Sequence, residues 1–100
     1  MKGQDFLMNA TELRKREVIN ASTAERLGYV YDLEIDFHSG KIISVIVPKR
    51  LTLFTLFDKQ KEYIIPWENI TAIGSDIILV NIDDSFVFPS NKNKQIEKKQ

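Results

Sequence analysis

The sequence predicts an all-β fold, a small β-barrel of about six short antiparallel strands with one 3₁₀ corner. Three observations carry this. From Tyr29 to Phe37 the odd positions are Tyr29, Tyr31, Leu33, Ile35 and Phe37, while Asp32, Glu34 and Asp36 hold even ones. That is the period-two pattern of a strand with one apolar and one acidic face. Second, other short apolar runs (Val18-Ile19, Ile42 to Val47, Tyr63 to Ile65, Ile77 to Val80) lie between turn residues. Third, almost nothing carries a helical period. Strands this short must pair or close on one another to hide their edges, and a half-open barrel fills its interior with one alternating apolar set.

In chain order, residues 1–10 carry little pattern and are expected to be a flexible N-terminus. Thr11 to Arg14 reads as a short turn capped by the Thr11 hydroxyl. Glu17 to Asn20 is a first strand, and residues 21–25 form a polar connection. Gly28 opens the long strand where backbone must bend or approach a neighbour closely. His38-Ser39-Gly40 is the turn of an antiparallel hairpin, with Gly40 supplying positive φ, and Lys41 to Val47 returns. Lys49 to Lys61 is a longer connection. Glu62 to Ile65 is a strand closed by Pro66-Trp67, where proline suits the start of a one-turn 3₁₀ corner. Ile70 to Ile73 and Ile77 to Ile82 flank Gly74-Ser75-Asp76, a tight turn with glycine expected at positive φ. The barrel is expected to span residues 11–82, with 83–100 a lysine-rich disordered tail.

Composition narrows the function classes. One hundred residues, 43% hydrophobic and 28% charged, make one globular domain with a single small core. Zero formal net charge argues against electrostatic nucleic-acid binding by the whole molecule. With no cysteine and one histidine, disulfides, thiolate catalysis and multi-histidine or cysteine-ligated metal sites are excluded within one chain. No signal-like apolar run opens the sequence and no segment approaches a membrane span, so a cytoplasmic setting is expected. No cofactor or metal is expected.

The ordered set of segments resembles a known family. Glu17-Val18-Ile19-Asn20, Arg26-Leu27-Gly28-Tyr29-Val30, Asp32-Leu33-Glu34-Ile35-Asp36, Ser39-Gly40-Lys41-Ile42, Tyr63-Ile64-Ile65-Pro66-Trp67 and Ile73 to Val80 follow one another as in PRC-barrel proteins. Their spacing is most similar to the YlmC/YmxH group of small bacterial proteins, often labelled sporulation-associated. The resemblance implies a PRC-type barrel, a cytoplasmic setting and no enzymatic activity. It also implies a docking role, as for the barrels of the photosynthetic reaction-centre H subunit and the ribosome maturation factor RimM.

Five candidate sites deserve weighing. Asp32, Glu34 and Asp36 are spaced by two, roughly 6.5–7 Å apart on one face, but a row on one strand does not converge on a cation. A solvated face is the simpler reading. Asp36, His38 and Ser39 contain the members of a hydrolytic triad, yet neighbours on a tight turn seldom align as one, and a turn needs these residues anyway. Trp67, flanked by Glu68 and near Glu62, reads as a core plug or barrel-end cover before a partner contact. Leu51, Leu53, Phe54, Leu56 and Phe57 put five large apolar residues in seven positions of a connection. They are the strongest interaction candidates, whether as a barrel-end cover, a homodimer contact or a contact with another protein or a membrane surface. The tail holds Lys92, Lys94, Lys98 and Lys99 against Glu97, a solubilising end or a phosphate contact.

The expectation is a non-enzymatic docking module, homodimeric, with its interaction residues among Leu51, Leu53, Phe54, Leu56, Phe57 and Trp67. The alternative is an RNA- or ribosome-associated factor by analogy with RimM.

Overall fold

The computed structural model describes residues 7–50 and 60–90. A single helical turn, α1 (Ala10–Arg14), is followed by β1 (Glu17–Asn20), β2 (Arg26–Tyr29), β3 (Asp32–Ile35) and β4 (Ile42–Pro48). After residue 60 come β5 (Lys61–Pro66), a 3₁₀ turn (Trp67–Asn69), β6 (Ile70–Ile73) and β7 (Ile77–Val80). A second 3₁₀ turn (Asp84–Phe86) and β8 (Val87–Pro89) complete the described chain.

The strands form two four-stranded sheets, ordered β2-β1-β7-β6 and β3-β4-β5-β8. This is the expected all-β class, with eight strands among the described residues rather than about six and one parallel pair. β1 runs parallel to β7, from Glu17↔Ile77 to Asn20↔Val80. β3, β4 and β5 of the second sheet lie between them in sequence, so no hairpin forces antiparallel pairing.

The core lies between the sheets. Val18, Val45, Val47, Ile65, Ile78 and Val80 are fully buried, joined by Leu13, Leu27, Val30, Tyr63 and Ile82. Each such side chain contributes about 1.5–3 kcal/mol on leaving water. The sheets approach at Gly28 (φ +121°), where an added Cβ would lie 3.6 Å from Val47 Cγ1 and 3.8 Å from the Pro48 carbonyl. Gly40, at φ +74°, makes the β3–β4 turn as expected. Gly74 is not in the positive-φ region. Its carbonyl instead accepts from Arg16 Nε at 2.6 Å, and Arg16 Nη1 donates to the Glu12 carbonyl at 2.6 Å. Arg16 thereby clamps α1 to the β6–β7 turn.

Three local expectations change. The N-terminal turn is capped by Asn9, not Thr11: Asn9 Oδ1 accepts from Glu12 N at 2.8 Å, and Glu12 Oε1 accepts from Asn9 N at 3.1 Å. Asn9 and Glu12 have capping-box spacing, whereas Thr11 has Arg14 three residues on. The long strand divides into β2 and β3, which belong to different sheets; the chain turns the corner at Val30-Tyr31. Regular structure also continues past Ile82. Asp83 Oδ1 accepts from Ser85 N and Ser85 Oγ, Phe86 and Val87 pack on the core, and β8 pairs with β5.

Candidate interaction surface

The corner at Val30-Tyr31 has a consequence for the apolar row. Its residues were expected to face the core together. Instead Val30 is buried while Tyr29 and Tyr31 are exposed, Leu33 is half-buried, Ile35 is 55% exposed and Phe37 is 97% exposed. The side-chain phase shifts as the chain changes sheets, and β3 then runs past the end of its core cover. A β-bulge adds to this: Glu34 pairs with Ser44 and Ile35 with Ile42, leaving Ile43 as an extra, exposed residue.

Leu33 of this row lines a groove of about 260 Å³ between β3–β4, β6 and the start of α1. Leu33 and Ile42 form one wall, Ile73 of β6 another, and α1 supplies Leu13, with Met8 just before it. Trp67 completes the lining, placed by Pro66 (φ −57°) at the start of its 3₁₀ turn. Trp67 also packs against the core, so it plugs the fold with one side and meets the groove with the other. The groove is largely apolar; exposed Ile35 pairs with Ile42 of its wall, exposed Leu7 precedes Met8 of its lining, and exposed Phe37 follows Ile35 by two residues.

The acidic row is engaged locally. Asp32 Oδ1 accepts from Leu33 N at 2.8 Å, and Glu34 Oε1 accepts from the Ser44 hydroxyl. Asp36 Oδ1 accepts from His38 N at 2.9 Å, and the Asp36 carbonyl accepts from Gly40 N at 2.7 Å. The His38 amide and then the Ser39 hydroxyl hold the Asp36 carboxyl below its ordinary pKa. Ser39 Oγ also accepts from Lys41 N at 3.2 Å. Asp36, His38 and Ser39 thus build the turn. Among the described residues no group of three or more His, Asp or Glu side chains could hold a metal ion.

Leu51, Leu53, Phe54, Leu56 and Phe57 lie outside the described residues, as do Lys92, Lys94, Lys98 and Lys99. Ile35, Phe37, Ile42, Ile43 and Ile73 were missed as surface residues. The bulge at Ile43 leaves no mark in the hydrophobic pattern, so the alternation alone assigns Ile35 and Phe37 to the interior.

Two sheets around a small core, a 3₁₀ corner at Trp67 and an open apolar groove define a small two-sheet β-domain. The PRC-barrel domain family model matches residues 7–87, and the chain belongs to that family. Its relatives include the "Probable sporulation protein YlmC" of Bacillus subtilis (strain 168), 33% identical over 78% of this chain and 96% of that protein. YmxH of the same organism, an uncharacterized protein, is 33% identical over 77% of this chain and 92% of its own length. An uncharacterized protein of Clostridium acetobutylicum is 40% identical over 75% of this chain and 85% of that protein. Among the described residues no helix is long and apolar enough to cross a membrane.

Proposed function

We propose that this protein is a non-enzymatic docking module acting in the cytoplasm, which desolvates its apolar groove and rim against a protein partner. One observation carries the reading: a groove lined by Leu33, Ile42, Trp67 and Ile73 opens beside Ile35 and Phe37, large apolar side chains left in water. A monomer gains nothing from that exposure, whereas an aromatic or branched anchor at an interface centre dominates binding energy. Leu51, Leu53, Phe54, Leu56 and Phe57 join the reading on sequence grounds, as a second apolar contact attached to the ends of β4 and β5. Relatedness to a probable sporulation protein supports a role in sporulation.

The test is affinity capture from native cytoplasmic extract by the full chain, beside a variant with Ile35→Ser and Ile73→Ser. Both residues are exposed, so the variant keeps the core. Proteins held by the native chain and lost by the variant support docking through this surface. An identical retained set from both chains refutes it.

A further inference from the structure

We infer that the occupant of the groove is a second copy of this chain, in a two-fold dimer where Phe37 of each protomer enters the groove of the other. The inference rests on the docking reading above and names its partner. The surface carries both halves of the contact. The knob is Phe37, 97% exposed in the β3–β4 turn and presented by a backbone that Asp36, His38 and Gly40 hold with hydrogen bonds. The hole is the groove of about 260 Å³, larger than the roughly 150 Å³ apolar cavity that admits a benzene ring. Phe37 lies in the turn two residues beyond Ile35, within about 7 Å of it along the chain, and Ile35 pairs with Ile42 in the groove wall. Knob and hole are therefore neighbours on one patch, and a two-fold axis between them fills both grooves at once.

Area agrees with this occupant. With a fully exposed large side chain offering roughly 150–250 Å², Leu7, Met8, Ile35, Phe37, Ile43 and Ile73 together present about 600–700 Å². Two copies reach the lower part of the roughly 1,200–2,000 Å² that a specific interface buries. Edge-to-edge pairing of β3 with itself is disfavoured, since it would place Glu34 opposite Glu34 and Asp32 opposite Asp36.

Segments of the same chain fit less well. Residues 51–59 leave and rejoin at the far end of β4 and β5, where Lys49 N donates to the Lys61 carbonyl. Residues 91–100 start at that same end, after Ser90 N donates to the Gln60 carbonyl, and hold one apolar side chain, Ile96.

The experiment is sedimentation equilibrium of the purified full chain from micromolar to millimolar, with a cysteine cross-linking arm made clean by the absence of native cysteine. The expected result is a mass that climbs from 11.6 kDa to twice that value. Phe37→Ser should weaken association roughly 30-fold or more, as for a central anchor, with an unchanged circular dichroism spectrum. Phe37→Cys mixed with Ile73→Cys should give a disulfide-linked pair containing one of each, and neither alone should link. A native chain that stays monomeric overturns the inference, as does a Phe37→Ser chain that dimerises like the native one. A monomer that dimerises only on deletion of residues 1–6 also overturns it, because that segment is then the occupant. If the chain is monomeric while Ile35→Ser with Ile73→Ser still loses captured proteins, docking stands and the second copy falls; if neither effect is seen, both fall.

Discussion

Asn20 offers the sharpest test of what holds the end of β1 to the chain leaving β7. It ends β1, is buried, and donates from Nδ2 to the Ile82 carbonyl at 3.1 Å. Its Oδ1 accepts from Ser22 N at 3.2 Å and Ser22 Oγ at 2.9 Å. Asn20→Ala strands the Ile82 carbonyl, costing about 1–3 kcal/mol, and removes two partly buried bonds at roughly 0.5–1.5 kcal/mol each. A loss of about 2–6 kcal/mol lowers Tm by roughly 8 °C or more in a domain of this size. Asn20→Asp separates the two contributions. It preserves the acceptor for Ser22 but turns a second carboxylate oxygen toward the Ile82 carbonyl, so at neutral pH it is destabilised like the alanine variant. Protonation restores a donor. The aspartate variant should therefore gain stability relative to Asn20→Ala as pH falls toward about 4. Thermal unfolding followed by far-ultraviolet circular dichroism at pH 7 and pH 4 reads both effects. An alanine variant within about 2 °C of the native chain, or an aspartate variant with the same deficit at both pH values, refutes the reasoning.

Ile65, fully buried at the centre of β5, should cost about 2–5 kcal/mol as Ile65→Ala, read as a lower urea midpoint with unchanged slope. Ala24 adopts φ +64°, a left-handed conformation costly for any residue with a Cβ; Ala24→Gly should raise stability by up to about 1 kcal/mol in the same urea experiment. Glu17, held by Arg26 at 2.9 Å, and Asp36 and Asp83, held by neighbouring amides and hydroxyls, all titrate below their ordinary values. The unfolded chain therefore takes up their protons first. Their contribution is complete above the ordinary values of 4.5 and 3.8 and is lost as pH falls through the lower folded ones. Urea midpoints should fall steadily below about pH 4.5, less steeply in Asp36→Asn; a midpoint flat down to pH 2.5 contradicts the assignment.

Much of the fold was legible because its signals are local. Gly40 requires positive φ, Pro66 starts the 3₁₀ corner that carries Trp67, and the short runs at Val18-Ile19, Tyr63 to Ile65 and Ile77 to Val80 all became core strands. What escaped depends on partners far away in sequence. The parallel pairing of β1 with β7 follows from which strands meet, not from either strand's residues. The Tyr29 to Phe37 alternation promised one buried face, yet the division between two sheets at Val30-Tyr31 and the bulge at Ile43 turned much of it outward. Asp83 and Asp84 resembled the start of a solvated tail, but Asp83 caps a 3₁₀ turn that brings Phe86 onto the core. Of the interaction candidates, Trp67 lines the groove; its other walls come from residues that the pattern assigned to the interior.

The central claim is that the apolar groove and its rim are the face this domain presents to protein partners. Photo-cross-linking inside living cells tests it most directly. A photoreactive phenylalanine analogue would replace Phe37 or Ile73 at the groove and, in a separate chain, Thr23 on exposed surface away from it. The account predicts discrete protein adducts, a second copy of the chain among them, from positions 37 and 73 and none from position 23. Adducts from position 23 alone, or none from any of the three, would contradict it.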